Sequence, residues 1–101
     1  MVKNSIAYAA GFFDGEGYVG LGYRLRLEVR VTQTQKRVLD NLKDTWGGGV
    51  YPRKIVRGRR PAFDWVLVEH QKVHKFLKDV YPFLQVKKLQ VDKTLEFHRC
   101  N

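Results

Sequence analysis

The feature that most constrains the fold of this chain is the alternation of apolar and polar side chains from residue 25 to residue 32. Leucine or valine takes every odd position, and a polar residue takes every even one: Leu25, Leu27, Val29 and Val31 against Arg26, Glu28, Arg30 and Thr32. A period of two predicts a β-strand with one buried and one solvated face. A shorter strand at 18–21 and a turn near Gly22 and Tyr23 complete a predicted hairpin.

Helical patterns surround this hairpin and a second one. The first predicted helix is capped by Asn4 or Ser5 and runs to about Asp14. The second, about 35–46, is capped by Thr34 and stopped by three glycines. A second hairpin pairs 50–56 with 62–69 across an arginine-rich turn. Helices at about 71–81, ended by Pro82, and at about 85–99 follow. The predicted order is therefore helix, hairpin, helix, hairpin, helix, helix.

Length and charge narrow the class of protein. With 101 residues the chain is expected to form one domain, residues 1–101. It holds 19 Lys and Arg against 10 Asp and Glu, a net charge of +9. Such a balance is typical of proteins that bind nucleic acid, although a basic domain without that role, or a ribosomal-type protein, has the same composition. The polar face of the long strand, with Arg24, Arg26 and Arg30, suits phosphates and base edges.

Other classes are disfavoured by what the sequence contains. The single cysteine, Cys100, allows no disulfide within the chain and no cysteine-based zinc site. The apolar stretch from Ile6 to Phe13 is far shorter than the ~20 residues that span a bilayer. We therefore expect a soluble, unprocessed protein of a bacterial or phage cytoplasm or of an organelle, without a membrane partner. His70 and His74 in HQKVH nearly match a zinc-protease motif, but the motif's glutamate is absent, which favours satisfied or solvated histidines.

The first predicted helix ends on two acids, Asp14 and Glu16, each next to glycine. The carboxyl end of a helix is negative and prefers Lys, Arg or His, each stabilising by roughly 0.3–1 kcal/mol, so a positive group is expected beside the two acids. Small residues also line this helix, and they predict close packing against a second copy of the chain: Ala7, Ala10, Gly11 and Gly15, with Asp14 alongside. An ordinary core helix ending in an acidic turn is the alternative.

A second copy would bring two Glu16 side chains together near the axis of the dimer. Carboxylate and backbone carbonyl oxygens, joined by substrate phosphate, are the ligands that Mg²⁺ takes in proteins. Two such ions can activate water and stabilise the leaving oxygen of a phosphodiester. The two acids at the helix end therefore predict a site for metal-dependent phosphodiester hydrolysis.

The stretch AAGFFDGEG (9–17) resembles the LAGLIDADG motif of homing endonucleases. VTQTQKRVLDNL (31–42) and YPFLQVKKLQ (81–90) resemble segments of the single-motif, homodimeric branch known from organellar introns. The resemblance implies an α+β fold whose twisted four-stranded antiparallel sheet forms a DNA-binding saddle. It also implies a homodimer, joined through the first helix, that cuts both strands of a long pseudo-palindromic DNA site in intron or intein homing. Mg²⁺ is the implied cofactor, with Mn²⁺ as the alternative.

The resemblance assigns roles to individual residues. It implies that Glu16 and the carbonyl of Gly15 bind metal, that Gln33 orders catalytic water, and that Lys87 lies near the scissile phosphate. Lys36 falls one position before the family's basic residue. Asp14 corresponds to an acid whose role is mainly structural, at the helix interface. Six positions correspond to the family's base-reading residues: Arg24, Arg26, Glu28, Arg30, Arg53 and Asp64. Thr32, on the same strand face, is also expected to contact DNA, and Arg57, Arg59 and Arg60 at the tip of the second hairpin suit phosphate.

Two alternatives share the same sheet and charge. The chain could be a non-cleaving nucleic-acid-binding module, such as an RNA maturase, which would bind RNA, or a DNA-binding regulator. It could also be half of a two-motif enzyme, although its single motif and initiating methionine favour the dimer.

Overall fold

Four helices and four strands follow one another in the computed structural model, which describes residues 3–22, 26–54, 57, 58 and 60–100. In chain order the elements are α1 (Lys3–Glu16), β1 (Gly17–Leu21), β2 (Leu27–Gln33), α2 (Lys36–Trp46), β3 (Gly49–Pro52), β4 (Phe63–Leu67), α3 (His70–Val80), a short 3₁₀ turn (Tyr81–Phe83) and α4 (Lys88–Cys100). The predicted order of helices and hairpins is confirmed.

The strands form one antiparallel sheet in the order β1-β2-β4-β3. Val31 of β2 lies opposite Gly17 of β1 and Trp65 of β4, and Arg30 lies opposite Tyr18 and Val66. The period-two pattern is confirmed, since Leu27, Val29 and Val31 are buried. One face of the sheet therefore belongs to the core. The other, which we call the polar face, carries Tyr18, Glu28, Arg30, Thr32, Tyr51 and Asp64.

Phe76 of α3 joins the helices to the sheet. Its ring meets Phe13 of α1, Trp46 of α2 and Trp65 of β4 edge to face, at centroid distances of 5.3, 4.9 and 5.1 Å. Pairs of this kind contribute roughly 0.5–1.5 kcal/mol each beyond their buried area. The two indole N–H groups donate to Asp79 and to the carbonyl of Gly47, which satisfies the polar atoms of this cluster.

Several predicted boundaries are wrong. Helix α1 includes Asn4 and Ser5 and continues through Glu16, so neither residue precedes it as a cap. Gln35 rather than Thr34 occupies the position before α2, and it makes no side-chain cap. Strand β3 ends at Pro52, and α4 begins at Lys88 rather than near residue 85. Leu25, Arg24, Arg59 and the 55–56 part of the predicted strand lie outside the described residues.

None of the helices described here is long and apolar enough to cross a membrane.

The junction of α1 and β1 requires glycine. A Cβ atom at Gly17 would lie 2.3 Å from the ring of Phe13 and 2.6 Å from its backbone oxygen. Backbone cannot move away as a flexible side chain can. The absence of a side chain at Gly17 therefore allows the chain to turn from the helix straight into the sheet, with Phe13 buried beneath.

We expect Gly17→Ala to lower the free energy of unfolding by about 1–3 kcal/mol, the usual cost of overpacking. Urea unfolding measures the change. Gly22→Ala is the control, because the nearest atom to its added Cβ is the flexible carboxylate of Glu28 at 3.2 Å. Equal effects of the two substitutions would contradict this account of the junction.

Candidate active site and nucleic-acid interface

The last turn of α1 contains no basic residue, yet it carries Asp14 and Glu16. The carboxylate of Asp14 accepts three backbone N–H groups that precede α4. Gln85 donates to Oδ2 at 2.5 Å, Lys87 donates to Oδ1 at 2.8 Å, and Val86 lies 3.0 Å from both oxygens. The amino end of a helix is positive, so an anion stabilises it there. Asp14 is thus the cap of α4, supplied from 71 to 73 positions away in the chain.

Lys87 supplies the cation that α1 lacks. Its Nζ donates to the backbone oxygen of Asp14 at 2.8 Å. Carbonyl groups in the last turn of a helix have no partner within the helix and favour a cation. The negative end of α1 and the positive end of α4 therefore satisfy each other. We call this set of five hydrogen bonds the Asp14 clamp.

The clamp lowers the pKa of Asp14. Burial acts to raise this pKa, but the backbone hydrogen bonds from residues 85–87 and the charge of Lys87 outweigh burial, so the net pKa lies below the ordinary 3.8. The carboxyl is therefore ionised at any pH near neutrality. A place for Asp14 at an interface between two copies stays a prediction, and within its own chain the carboxylate binds the backbone before α4.

Glu16 is the other acid of this helix end, and it is exposed. Gln33, at the end of β2, donates from Nε2 to Glu16 Oε2 at 3.2 Å. The oxygen of the same amide accepts from the backbone N–H of Thr34 at 2.9 Å and from its hydroxyl. This arrangement turns the amide nitrogen toward Glu16. The structure thus brings together two of the predicted catalytic residues.

Lys36 does not join this pair. At the start of α2, its Nζ forms an ion pair with Asp40 at 3.3 Å, one turn along the same helix. A catalytic role for Lys36 stays a prediction.

The outward side of α1 is an open groove of about 480 Å³. It is lined by Ala7, Tyr8, Gly11, Phe12, Gly15 and Glu16. A Cβ atom added at Gly11 or Gly15 would meet nothing within 4 Å, and the ring of Tyr8 is 63% exposed. Ala10 is instead fully buried in the core. Its assignment to an interface between copies was wrong, because it is buried in the core of its own chain and does not line the groove.

The polar face of the sheet mixes charges of both signs. Arg30 pairs with Glu28 at 3.3 Å, and Arg53 lies 3.5 Å from Asp64. Thr32 donates its hydroxyl to Asp64 at 2.5 Å. Arg26, Arg57 and Arg60 are exposed, whereas Arg24 and Arg59 lie outside the described residues. The acids orient the two paired guanidinium groups.

Two residues of the polar face escaped the sequence reasoning. Tyr18 and Tyr51 are 45% and 57% exposed, and each ring lies across a glycine two positions away, Gly20 and Gly49. The sequence signal for both tyrosines was an aromatic residue at an outward strand position, two residues from a glycine that its ring can cover.

The histidines of HQKVH open α3, with their rings 4.4 Å apart. Across the part of the chain that the structure describes, no three His, Cys, Asp or Glu side chains are grouped to hold a metal ion.

Comparison with known proteins gives one curated relative. DNA endonuclease I-CreI of Chlamydomonas reinhardtii is 35% identical over 106 residues, an alignment that covers 93% of this chain. The chain spans 62% of the length of I-CreI. No profile of a protein family matches the sequence.

Solved structures share the fold. Homing endonuclease I-CvuI, bound to the I-CreI target in the presence of Mg with the DNA not cleaved, is 25% identical with a TM-score of 0.75, covering 96% of this chain and 67% of I-CvuI. The archaeal intron-encoded homing endonuclease I-Vdi141I, complexed with DNA, is 22% identical, also with a TM-score of 0.75, covering 95% of this chain and 67% of its own. The second similarity concerns the fold alone.

The clamp predicts a specific dependence of stability on pH. The pKa of Asp14 is lower in the folded chain than in the unfolded chain, where it is near 3.8. The contribution of Asp14 to the free energy of unfolding is therefore complete above the unfolded pKa and is lost as the pH falls through the folded pKa. We expect the free energy of unfolding to fall less steeply below about pH 4 in Asp14→Asn than in the wild type. Urea unfolding at several pH values measures this slope. Asp44→Asn, which removes an exposed carboxylate of α2, should keep the wild-type slope. Equal slopes for Asp14→Asn and the wild type would contradict the clamp.

Proposed function

We propose that the chain is a member of the LAGLIDADG homing endonuclease family and a site-specific DNA endonuclease that acts as a homodimer of single-domain chains. The observation that carries the proposal is Glu16, held by Gln33 on an exposed helix end beside the open groove of α1. The relative I-CreI is a DNA endonuclease, and I-CvuI is bound to a DNA target.

The groove of α1 supports the homodimer. Helices approach closely where small residues remove side-chain bulk, and Gly11 and Gly15 leave this side open. Tyr8 and Phe12 form an edge-to-face pair in the same groove, with centroids 4.9 Å apart. These rings are apolar surface that a second copy of α1 would cover. Ala7, Gly11 and Gly15 are the proposed contact residues.

The end of α1 fits a hard divalent cation. Glu16 offers carboxylate oxygens, and Gly15 offers a carbonyl from the last turn, where no intrahelical partner exists. Oxygen donors of this kind suit Mg²⁺ or Mn²⁺, which bind few protein groups and complete their shell with water and phosphate. One chain presents one such carboxylate. The second copy and the DNA phosphates would supply the remaining ligands.

The chain's own residues then have separate tasks. A bound divalent ion would supply activation of water and stabilisation of charge at the phosphate. Glu16 and the Gly15 carbonyl would hold it. Gln33 would orient a water molecule beside Glu16, because its amide is fixed by Thr34. Lys87 places positive charge at the same helix end, where the charge that develops on the phosphate is stabilised.

The polar face of the sheet is the proposed DNA-reading surface. The major groove admits a two-stranded β-ribbon, and guanidinium groups match guanine O6 and N7. Arg26, Arg30 and Arg53 are suited to that contact, while Glu28 and Asp64 can accept from cytosine N4. The exposed Arg57 and Arg60 of the second hairpin suit phosphates, which position the protein without reading sequence.

We expect Glu16→Gln to abolish cleavage while binding of the target is retained, because the amide cannot replace the carboxylate as a metal ligand. The wild type is first incubated with a randomised DNA library and Mg²⁺, and sequencing of the cut ends defines the target. Glu69→Gln is the control, since Glu69 is an exposed acid paired with Lys72 on α3. Normal cleavage by Glu16→Gln would refute the metal assignment, and a wild type that binds DNA of the library but yields no cut ends would identify a non-cleaving binding module.

We expect Gly11→Leu to dissociate the dimer, because a leucine would fill the groove that the second helix occupies. Sedimentation velocity measures the change of mass. Asn41→Leu places the same side chain on the exposed side of α2 and should leave the dimer intact. A Gly11→Leu protein that stays dimeric would contradict the proposed packing.

A further inference from the structure

We propose that Asp14 is a positioning residue of the active site: through the clamp it holds the ammonium group of Lys87 at the end of α1 that carries Glu16. The inference rests on the proposed endonuclease function and adds a role for an acid that binds no metal in that proposal. It assigns to Asp14 an effect on the rate of cleavage rather than on DNA affinity.

The clamp fixes the backbone before α4. Oδ1 accepts from Val86 and Lys87, and Oδ2 accepts from Gln85 and Val86, so both carboxylate oxygens are occupied. Three consecutive amides bound to one side chain cannot shift along the helix axis without losing these bonds. The position of the Lys87 main chain is thereby defined relative to α1.

The same residue also fixes the far end of the Lys87 side chain. The Nζ atom donates to the backbone oxygen of Asp14, while the backbone N–H of Lys87 donates to Asp14 Oδ1. Lysine has a flexible four-carbon stem and loses much rotamer freedom when it is ordered. Asp14 holds Lys87 at both ends, and this explains how a flexible side chain keeps one location.

The side chains next to Lys87 contribute little packing that would hold Lys87 in place. Val86 and Leu89, on either side of Lys87 and Lys88, are 76% and 63% exposed. The nearest buried anchors are Leu84 and Val91, each at least three residues from Lys87. Residues 85–87 are therefore held mainly by hydrogen bonds to Asp14, while nearer Val91 the side chain of Gln90 donates to the backbone oxygen of Val19 at 3.0 Å.

The substitution Asp14→Asn disrupts this arrangement in two ways. The amide has one oxygen where the carboxylate has two, so at least one backbone N–H loses its acceptor and faces an NH₂ donor. The negative charge opposite the amino end of α4 is also removed. Lys87 is expected to lose its fixed location, although its own side chain is intact.

Asp79 offers a matched control within the chain. It is also a half-buried acid whose pKa is lowered: burial acts to raise the pKa, but hydrogen bonds from Trp46 and Lys75 outweigh it. Its partners lie on α2 and α3, not at the end of α1. Asp79→Asn therefore removes a structural carboxylate without touching Lys87.

The experiment measures the single-turnover cleavage rate and the DNA affinity of five proteins: wild type, Asp14→Asn, Lys87→Met, the double variant and Asp79→Asn. The temperature is one at which circular dichroism shows that all five are folded. We expect Asp14→Asn and Lys87→Met each to reduce the cleavage rate on the order of 10²-fold, the scale of a misplaced catalytic group. The double variant should lose little more, because both substitutions remove one unit. DNA affinity should stay near the wild-type value, and Asp79→Asn should cleave at the wild-type rate per folded molecule.

Three outcomes would overturn the inference. Asp14→Asn could cleave as fast as Asp79→Asn, its defect could appear only in DNA affinity, or the losses of the two single variants could multiply in the double variant. Nuclear magnetic resonance of the Lys87 side chain gives a readout independent of activity, and an unchanged Lys87 signal in Asp14→Asn would also overturn it. Failure of the proposed function is distinct, because there the wild type itself cuts no DNA.

Discussion

The hydrogen bonds between Asp14 and the backbone of residues 85–87 are the interaction on which the arrangement of the site depends. Helix α1 is fixed against the rest of the fold because three of its own residues, Ala9, Ala10 and Phe13, are buried in the core. Its negative end then requires a positive partner, which the amino end of α4 and Lys87 supply. α4 must therefore begin where α1 ends. The carboxylate of Asp14 is bound within the fold, whereas the carboxylate of Glu16 remains exposed.

Patterns carried by neighbouring residues predicted most of the fold. The alternation in β2 and the apolar stripe of α2, with Leu39, Leu42 and Trp46 buried, depend only on local spacing. The orientation of α1 did not follow from spacing, because the helix has small residues on several sides and periodicity cannot tell which side is buried. Ala10 was misplaced for this reason. The partners of Asp14 lie more than 70 residues away, and no local pattern encodes them.

The polar face illustrates a similar limit. The sequence predicted a face suited to phosphates and base edges, with Glu28 and Asp64 on it, but not that these acids pair with Arg30 and Arg53. Glu28 accepts a hydrogen bond from Arg30, and both acids repel phosphates, so in the proposed complex they favour contact with base edges over the backbone of DNA. The exposed Arg57 and Arg60 have no such partner in the described contacts, which suits them to phosphate. The proposed separation of base-reading from phosphate-contacting residues thus rests on where the acids lie.

Because the clamp occupies Asp14, Glu16 is the acid that we propose binds metal. Paramagnetic broadening by Mn²⁺ tests this proposal most directly, in nuclear magnetic resonance spectra of the labelled protein bound to duplex DNA. We expect the amides of Gly15, Glu16 and Gly17 to broaden first and Glu16→Gln to remove the effect, while the amides of residues 85–87 in the same variant keep their shifts. Broadening centred on His70 and His74, or unchanged broadening in Glu16→Gln, would contradict it.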